Sequence, residues 1–252
     1  MAKEKQVRCP HCGCVAYGGS AKCPSCGEYL SWESRIVYLP ALEPKKLIIF
    51  DFDGVLVTVS WKGLFEANKQ VLFHAGKDWR DFFPDLESFK LYSTDWQENR
   101  KKWGIENSEF LNKIFNNVYA PYSVCISGVE EILKKLSKKC QLAILTNGHR
   151  SRILMLGKNV LGLFKIIVAA KDVKKLKPDP EGINLILVET GFQKDQAVIV
   201  GDHPTDIKAG RAAGIKTAAV VWEHGLSERK DFLDCSPDFF LESLDDLPSL
   251  DF

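Results

Sequence analysis

Two carboxylates one residue apart, Asp51 and Asp53, follow the apolar run Leu47-Ile48-Ile49-Phe50 and precede Gly54. Acids this close are costly unless they share a cation or a substrate. A DxDG run also opens an EF-hand loop, but that loop needs a preceding helix and a glutamate at its twelfth position. Here an apolar run precedes it and Lys62 stands at that position. A tight turn that merely happens to be acidic is the remaining alternative.

Three more polar clusters could act with the pair. Thr146-Asn147-Gly148 ends QLAIL and presents a hydroxyl and loop amides. Lys177-Pro178 offers a cation just before a helix start, and Gly201-Asp202 ends AVIV with Asp206 four residues on. Singly, each has a dull reading: a turn threonine, a surface lysine, a helix cap. Occurring in order at successive strand ends, they read as one site.

Strands must position such residues. Residues 47–50 lack polar alternation, as in a strand buried on both faces within a parallel sheet. In open α/β sheets the carboxyl ends of the strands form the crevice where ligands bind. From Ser127 onward strands and helices alternate. A capping box of Ser127 and Glu130 is expected to start a helix striped by Val129, Ile132, Leu133 and Leu136. Strands are expected at 141–145, 165–169, 197–200 and 217–221, and helices at 180–190, with Asp179 as N-cap, and at about 205–213. This alternation predicts a parallel sheet with helices on its faces.

Residues 58–125 break the alternation. Trp61, Leu64, Phe65, Val71, Leu72 and Ala75 recur at helical spacing, as do Phe110, Leu111, Ile114, Phe115 and Val118, with aromatics between. An all-helical insertion directly after the acidic strand end is placed to cover the site. Most of its aromatics are expected in a core.

The chain of 252 residues carries 34 Lys and Arg against 33 Asp and Glu, a formal charge of +1. That balance gives no general attraction to nucleic acid or acidic lipid. No apolar run approaches the roughly 18 residues needed to span a bilayer, and MAKEKQVRCPHC lacks the apolar core of a signal peptide. A cytoplasmic location without a membrane partner is the expectation.

Five of the eight cysteines crowd into residues 9–26, where Cys9-Pro10-His11-Cys12-Gly13 and Cys23-Pro24-Ser25-Cys26-Gly27 repeat a CPxCG pattern. Two such turns complete a four-thiolate tetrahedral site with no open position, which suits a structural zinc ion. Iron in a rubredoxin-like site is the chemical alternative, and Cys14 is a spare or an alternative ligand. A ribbon this small would draw most of its folding free energy from the metal. Residues 1–44 hold Lys3, Lys5, Arg8, Lys22 and Arg35 against Glu4, Glu28, Glu33 and Glu43. A nucleic-acid role for the ribbon gains no support from that balance, and docking onto protein is the alternative.

With DFDGVLV, TNG, KPDP and GDHPTD in this order, the chain resembles a haloacid dehalogenase superfamily phosphohydrolase from about residue 45 to the region of Trp222. Gly210-Arg211-Ala212-Ala213-Gly214 resembles the branch holding phosphoglycolate phosphatases and β-phosphoglucomutases. Val55 departs from the threonine usual after DxDG, and Thr58 and Val59 depart from the residues that often follow. The resemblance implies an α/β class with a Rossmann-like three-layer core at 45–57 and 126–252. A helical cap at 58–125, a linker at 31–44 and a zinc ribbon at 1–30 complete the expected organisation. It implies Mg2+ held by Asp51, the Asp53 carbonyl and Asp202, with Asp206 behind them.

Asp51 would attack phosphorus, while Asp53 would protonate the leaving oxygen and later take a proton from water. Thr146, Asn147 and Lys177 would hold the phosphoryl oxygens. His149 and His203 stand beside these motifs. Relatives that dehalogenate lack an acid at the Asp53 position, so hydrolysis of a phosphate monoester from a small metabolite is expected. A phosphomutase, or a zinc-ribbon binding protein with vestigial activity, are the alternatives.

Overall fold

The computed structural model describes residues 6–8, 15–17, 25–26, 46–92, 96–106, 108–225, 227–249 and 252. The chain divides into two units, Met1–Glu43 and Pro44–Phe252. In the first, β1 (Gln6–Arg8) pairs antiparallel with β2 (Val15–Tyr17). Cys26 is exposed at a turn. Cys9, Cys12, Cys14, Cys23 and residues 27–45 lie outside the described residues, so the expected ribbon and linker do as well.

In the second unit the chain runs through β3 (Lys46–Phe50), α1 (Trp61–His74), α2 (Leu86–Lys90), α3 (Trp96–Lys102) and α4 (Glu109–Tyr119). It continues with α5 (Val129–Leu136), β4 (Cys140–Leu145), α6 (Arg150–Ile153), α7 (Gly157–Leu161) and β5 (Phe164–Val168). Then come α8 (Glu181–Thr190), β6 (Ala197–Gly201), α9 (Pro204–Ala213), β7 (Lys216–Val220) and β8 (Phe239–Leu241). The sheet order is β5-β4-β3-β6-β7-β8, and every pairing in it is parallel. The chain leaves β3 toward β4 on one side and returns to β6 on the other, which opens a crevice at the strand ends between β3 and β6.

The unbroken apolar run of β3 is explained by its two faces. Ile48 and Phe50 join Val129, Leu133 and Val160 from α5 and α7. Leu47 and Ile49 join Ile183, Ile186 and Ala209 from α8 and α9. All four strand residues are fully buried, each worth about 1.5–3 kcal/mol on that count.

Helices α1 to α4 build their own cluster around Phe83, Phe89, Trp103 and Tyr119. Ser60 caps α1 by accepting from the Gly63 amide, and Ser108 caps α4 by accepting from Leu111. This layer starts and ends at one place: the Thr58 amide donates to the Val124 carbonyl at 2.8 Å, and the Val124 amide donates to the Thr58 hydroxyl at 3.2 Å.

Several expectations need correction. The N-cap of α5 is Gly128, at φ +80°, with no side-chain cap bond. Glu130 instead pairs with Lys134 at 2.6 Å, because a left-handed turn at residue 128 removes Ser127 from the capping position. Pro180, not Asp179, caps α8, although Asp179 still accepts from the Glu181 amide at 3.0 Å. Phe110 is 57% exposed, because it lies on the outer side of α4 against His74. The strand β8 and the short helices α6 and α7 were not anticipated: β8 is three residues long, and Gly157 at φ +74° interrupts the α6–α7 stretch. Among the described residues no helix is long and apolar enough to cross a membrane.

Candidate active site

Asp51 leaves β3 with its amide bonded to the Val200 carbonyl of β6 at 2.8 Å. Its carboxylate therefore emerges at the crevice. The next turn is shaped by Gly54, at φ +75°, where an added Cβ would stand 2.0 Å from an oxygen of Asp202. Only glycine allows both that backbone conformation and that approach. The Trp222 indole N–H donates to the Gly54 carbonyl at 2.6 Å and pins the turn from the far side.

Oxygens of Asp51, Asp202 and Asp206 lie within 4.8 Å of one another, and all three residues are buried. The Lys177 ammonium reaches Asp51 Oδ1 at 2.8 Å and Asp206 Oδ1 at 2.5 Å. It also donates to the Leu145 carbonyl at 3.0 Å. Burial pushes the Asp51 carboxyl up to about 7, opposed by the Lys177 cation and reinforced by Asp206 and Asp53. Burial alone would lower the Lys177 pKa, but the Asp206 and Asp51 carboxylates raise it well above the ordinary lysine value. Lys177 is thus a fixed cation.

Among the described residues, three buried carboxyl groups gather beside the Lys177 ammonium at the floor of the crevice. An all-oxygen donor set of this kind suits a hard divalent cation. The residues present therefore fit magnesium.

Thr146 follows β4, is 3% exposed, and accepts from the Gly148 amide at 2.9 Å. Asn147 is bonded both ways to Lys177: its Nδ2 donates to the Lys177 carbonyl and its Oδ1 accepts from the Lys177 amide, each at 2.9 Å. Its carboxamide thus fixes the lysine loop, a use the sequence reading did not anticipate. Asp206 accepts from the His203 amide at 3.1 Å. His203 and His149 are the N-caps of α9 and α6, and both line the cavity.

That cavity, of about 580 Å³, lies between the strand ends and the helical layer. Asp51, Asp53, Thr146 and Lys177 form its floor, and Arg100, Asn112, Phe115 and Asn116 line it from α3 and α4. Arg100 donates to Asn112 at 2.6 Å, and burial lowers its pKa from the ordinary value. Sequence reasoning missed one more wall residue, Arg152. Its guanidinium donates to both Asp53 oxygens, at 2.8 and 2.6 Å.

Residues 48–220 match the family model described as haloacid dehalogenase-like hydrolase. The chain belongs to the haloacid dehalogenase-like hydrolases. A relative in Halalkalibacterium halodurans, named pyrophosphatase PpaX, is 37% identical over 218 residues, covering 79% of this chain and 94% of its own. Another of that name in Bacillus pumilus is 39% identical over 110 residues, 42% of this chain, and this match spans 50% of its length. The chain thus spans about half the length of the first curated relatives it matches.

A solved haloacid dehalogenase-like family protein from Streptococcus pneumoniae shares the fold. Its TM-score is 0.63 at 22% identity, over 81% of this chain and 97% of that one. Within this hydrolase the matched stretch contains every polar residue that the crevice gathers, from Asp51 to Asp206.

Proposed function

We propose that this hydrolase is a magnesium-dependent phosphatase acting on a small phosphorylated metabolite through an aspartyl phosphate. The observation that carries the reading is the buried cluster of Asp51, Asp202, Asp206 and Lys177 at the floor of the cavity. Asp51, Asp202 and the Asp53 carbonyl would hold magnesium, with Asp206 behind them. The ion would neutralise phosphoryl oxygens and draw electron density from phosphorus.

Asp51 attacks phosphorus and forms a new O–P bond while the bond to the leaving oxygen breaks. Asp53, at the rim of the cluster, gives its proton to that oxygen. A water then attacks the aspartyl phosphate, Asp53 takes its proton, and phosphate departs as the Asp51 carboxylate is restored. Thr146 and the loop amides hold the phosphoryl oxygens, and Lys177 supplies a fixed positive charge beside the nucleophile. Asn147 acts through Lys177, whose backbone it clamps.

Helices α1 to α4, within residues 58–125, act as a cap over the core formed by 45–57 and 126–252. The relatives' name, pyrophosphatase, places phosphoanhydrides among the substrates to test. Arg100 on the cavity wall favours a substrate with a second anionic group.

For the N-terminal unit we infer a zinc ribbon over residues 1–30, joined by a linker at 31–44, with Cys9, Cys12, Cys23 and Cys26 as ligands. Its support is the repeated CPxCG spacing, with the first pair standing between β1 and β2.

The deciding experiment measures phosphate release from pyrophosphate, phosphoglycolate, sugar phosphates and nucleotides, with and without magnesium, for the wild type and Asp51→Asn. Magnesium-dependent release that the substitution abolishes supports the reading. No release from any member, or release undiminished in Asp51→Asn, overturns it.

A further inference from the structure

The chemistry of Asp53 requires its carboxyl to stand at the leaving-group side of the cavity, yet nothing in its own loop fixes that side chain. Its carboxylate is 27% exposed, whereas the Arg152 side chain that holds it is 7% exposed. The guanidinium is enclosed on its other sides. One nitrogen also donates to the Ser123 hydroxyl at 2.9 Å, and Cζ lies 4.6 Å from the centre of the Tyr119 ring. Burial alone would lower the Arg152 pKa, but the Asp53 charge and hydrogen bonds raise it. The Tyr119 phenol is pushed up to about 12 by burial and by Asp53, so it meets the guanidinium as a neutral ring.

The two outer partners share an origin. Tyr119 ends α4. Ser123 follows the 3-10 turn Ala120–Tyr122, one residue before Val124 pairs with Thr58. Both belong to the segment by which the chain returns from the helical layer to the sheet. Arg152 itself stands on the sheet side, in α6, just beyond the Thr146 loop.

We propose that Arg152 is a positioning residue: it sets Asp53 at the leaving-group side and ties that setting to the seating of the return segment through Ser123 and Tyr119. The proposal rests on the phosphatase reading. A guanidinium fork meets two carboxylate oxygens, a hydroxyl and a ring face at once, and an ammonium lacks the geometry to do so. A shift of the helical layer moves those two residues and, through Arg152, the acid.

The test uses two substrates that differ in their need for a proton on the leaving oxygen. An alkyl phosphate needs one, and p-nitrophenyl phosphate leaves readily without. Arg152→Ala is expected to lower kcat about 100-fold on the alkyl ester, the lower end for a positioned acid, and less than about fivefold on the aryl ester, with KM changed little on either. Arg152→Lys, which keeps the charge without the fork, should recover less than a tenth of the alkyl activity. In an Asp53→Ala background, Arg152→Ala should add less than about twofold, because one residue acts through the other. Ser123→Ala, which does not line the cavity, should show the same leaving-group bias at about 3–10-fold and carries the test should Arg152→Ala fail to fold.

Equal losses on both substrates, additive losses in the double variant, or no bias in Ser123→Ala overturn the proposal while leaving the phosphatase reading intact. A wild type that releases phosphate neither from these two esters nor from any member of the panel named above overturns both.

Discussion

The strand-end cluster and the helical layer above it are both buried, but by opposite means. At the strand ends Asp51, Thr146 and Asp202 each follow a strand directly, and their positions are set by sheet register and by glycines such as Gly54. Charge is held there against its preference for water because Lys177 touches two carboxylates at once. The helical layer contains fully buried Phe83 and nearly buried Phe89 and Trp103, whose rings meet at 4.9 to 5.6 Å. Its cohesion is apolar area and ring geometry. The contrast is one of chemistry: an ionic floor of carboxyl groups and a lysine faces an apolar layer that brings a few polar residues, Arg100, Asn112 and Asn116, to the cavity.

The sharpest test of this division is Asp51→Asn. It should reduce phosphate release about 10,000-fold or more, with a melting temperature within a few degrees of the wild type. Activity above a few per cent would remove Asp51 from the reaction. Lys177→Met leaves Asp51 and Asp206 buried without their cation and should lower unfolding free energy by about 3–5 kcal/mol, read by denaturant titration, along with most activity. An unchanged midpoint would mean that the ion cluster is not held as tightly as its burial indicates.

Trp103→Ala opens a hole in the other region and should lower stability by about 3 kcal/mol. Its effect on p-nitrophenyl phosphate turnover should stay within about tenfold, and a loss comparable to that of Asp51→Asn would erase the distinction between the two regions. Magnesium at 100 times its Kd should stabilise the fold by about 2.7 kcal/mol, measured as a rise in melting temperature that Asp202→Ala largely removes. Arg100→Ala should raise KM about 5- to 10-fold for a substrate with a second anionic group, close to 1 kcal/mol, leaving kcat little changed.

The ionic floor was legible in the sequence because each of its residues sits immediately after a strand or at a helix start, where local pattern and position in the sheet coincide. The buried strands were legible from their unbroken apolar runs, and the helical insertion from apolar residues at helical spacing. Arg152 was not: it and Asp53 are 99 residues apart, and an arginine in a short helix carries no mark of the carboxylate it will meet. The use of Asn147 on the Lys177 backbone, 30 residues away, was hidden equally. Gly128 displaced the expected Ser127 cap because a left-handed turn outcompeted a local side-chain bond. At the site, sequence reasoning found what local pattern marks, and it missed contacts between residues far apart in the chain, such as Arg152 with Asp53.

The pairing of Thr58 with Val124 closes the helical layer at its base. Its two ends emerge side by side, so removing or exchanging the 65 residues between them requires only a short bridging turn and no rerouting of the sheet. The layer is a cassette on a closed stem. Exchange at that stem would change what lines the cavity from the helical side and leave the strand-end cluster in place, provided the incoming piece returned with partners able to receive Arg152.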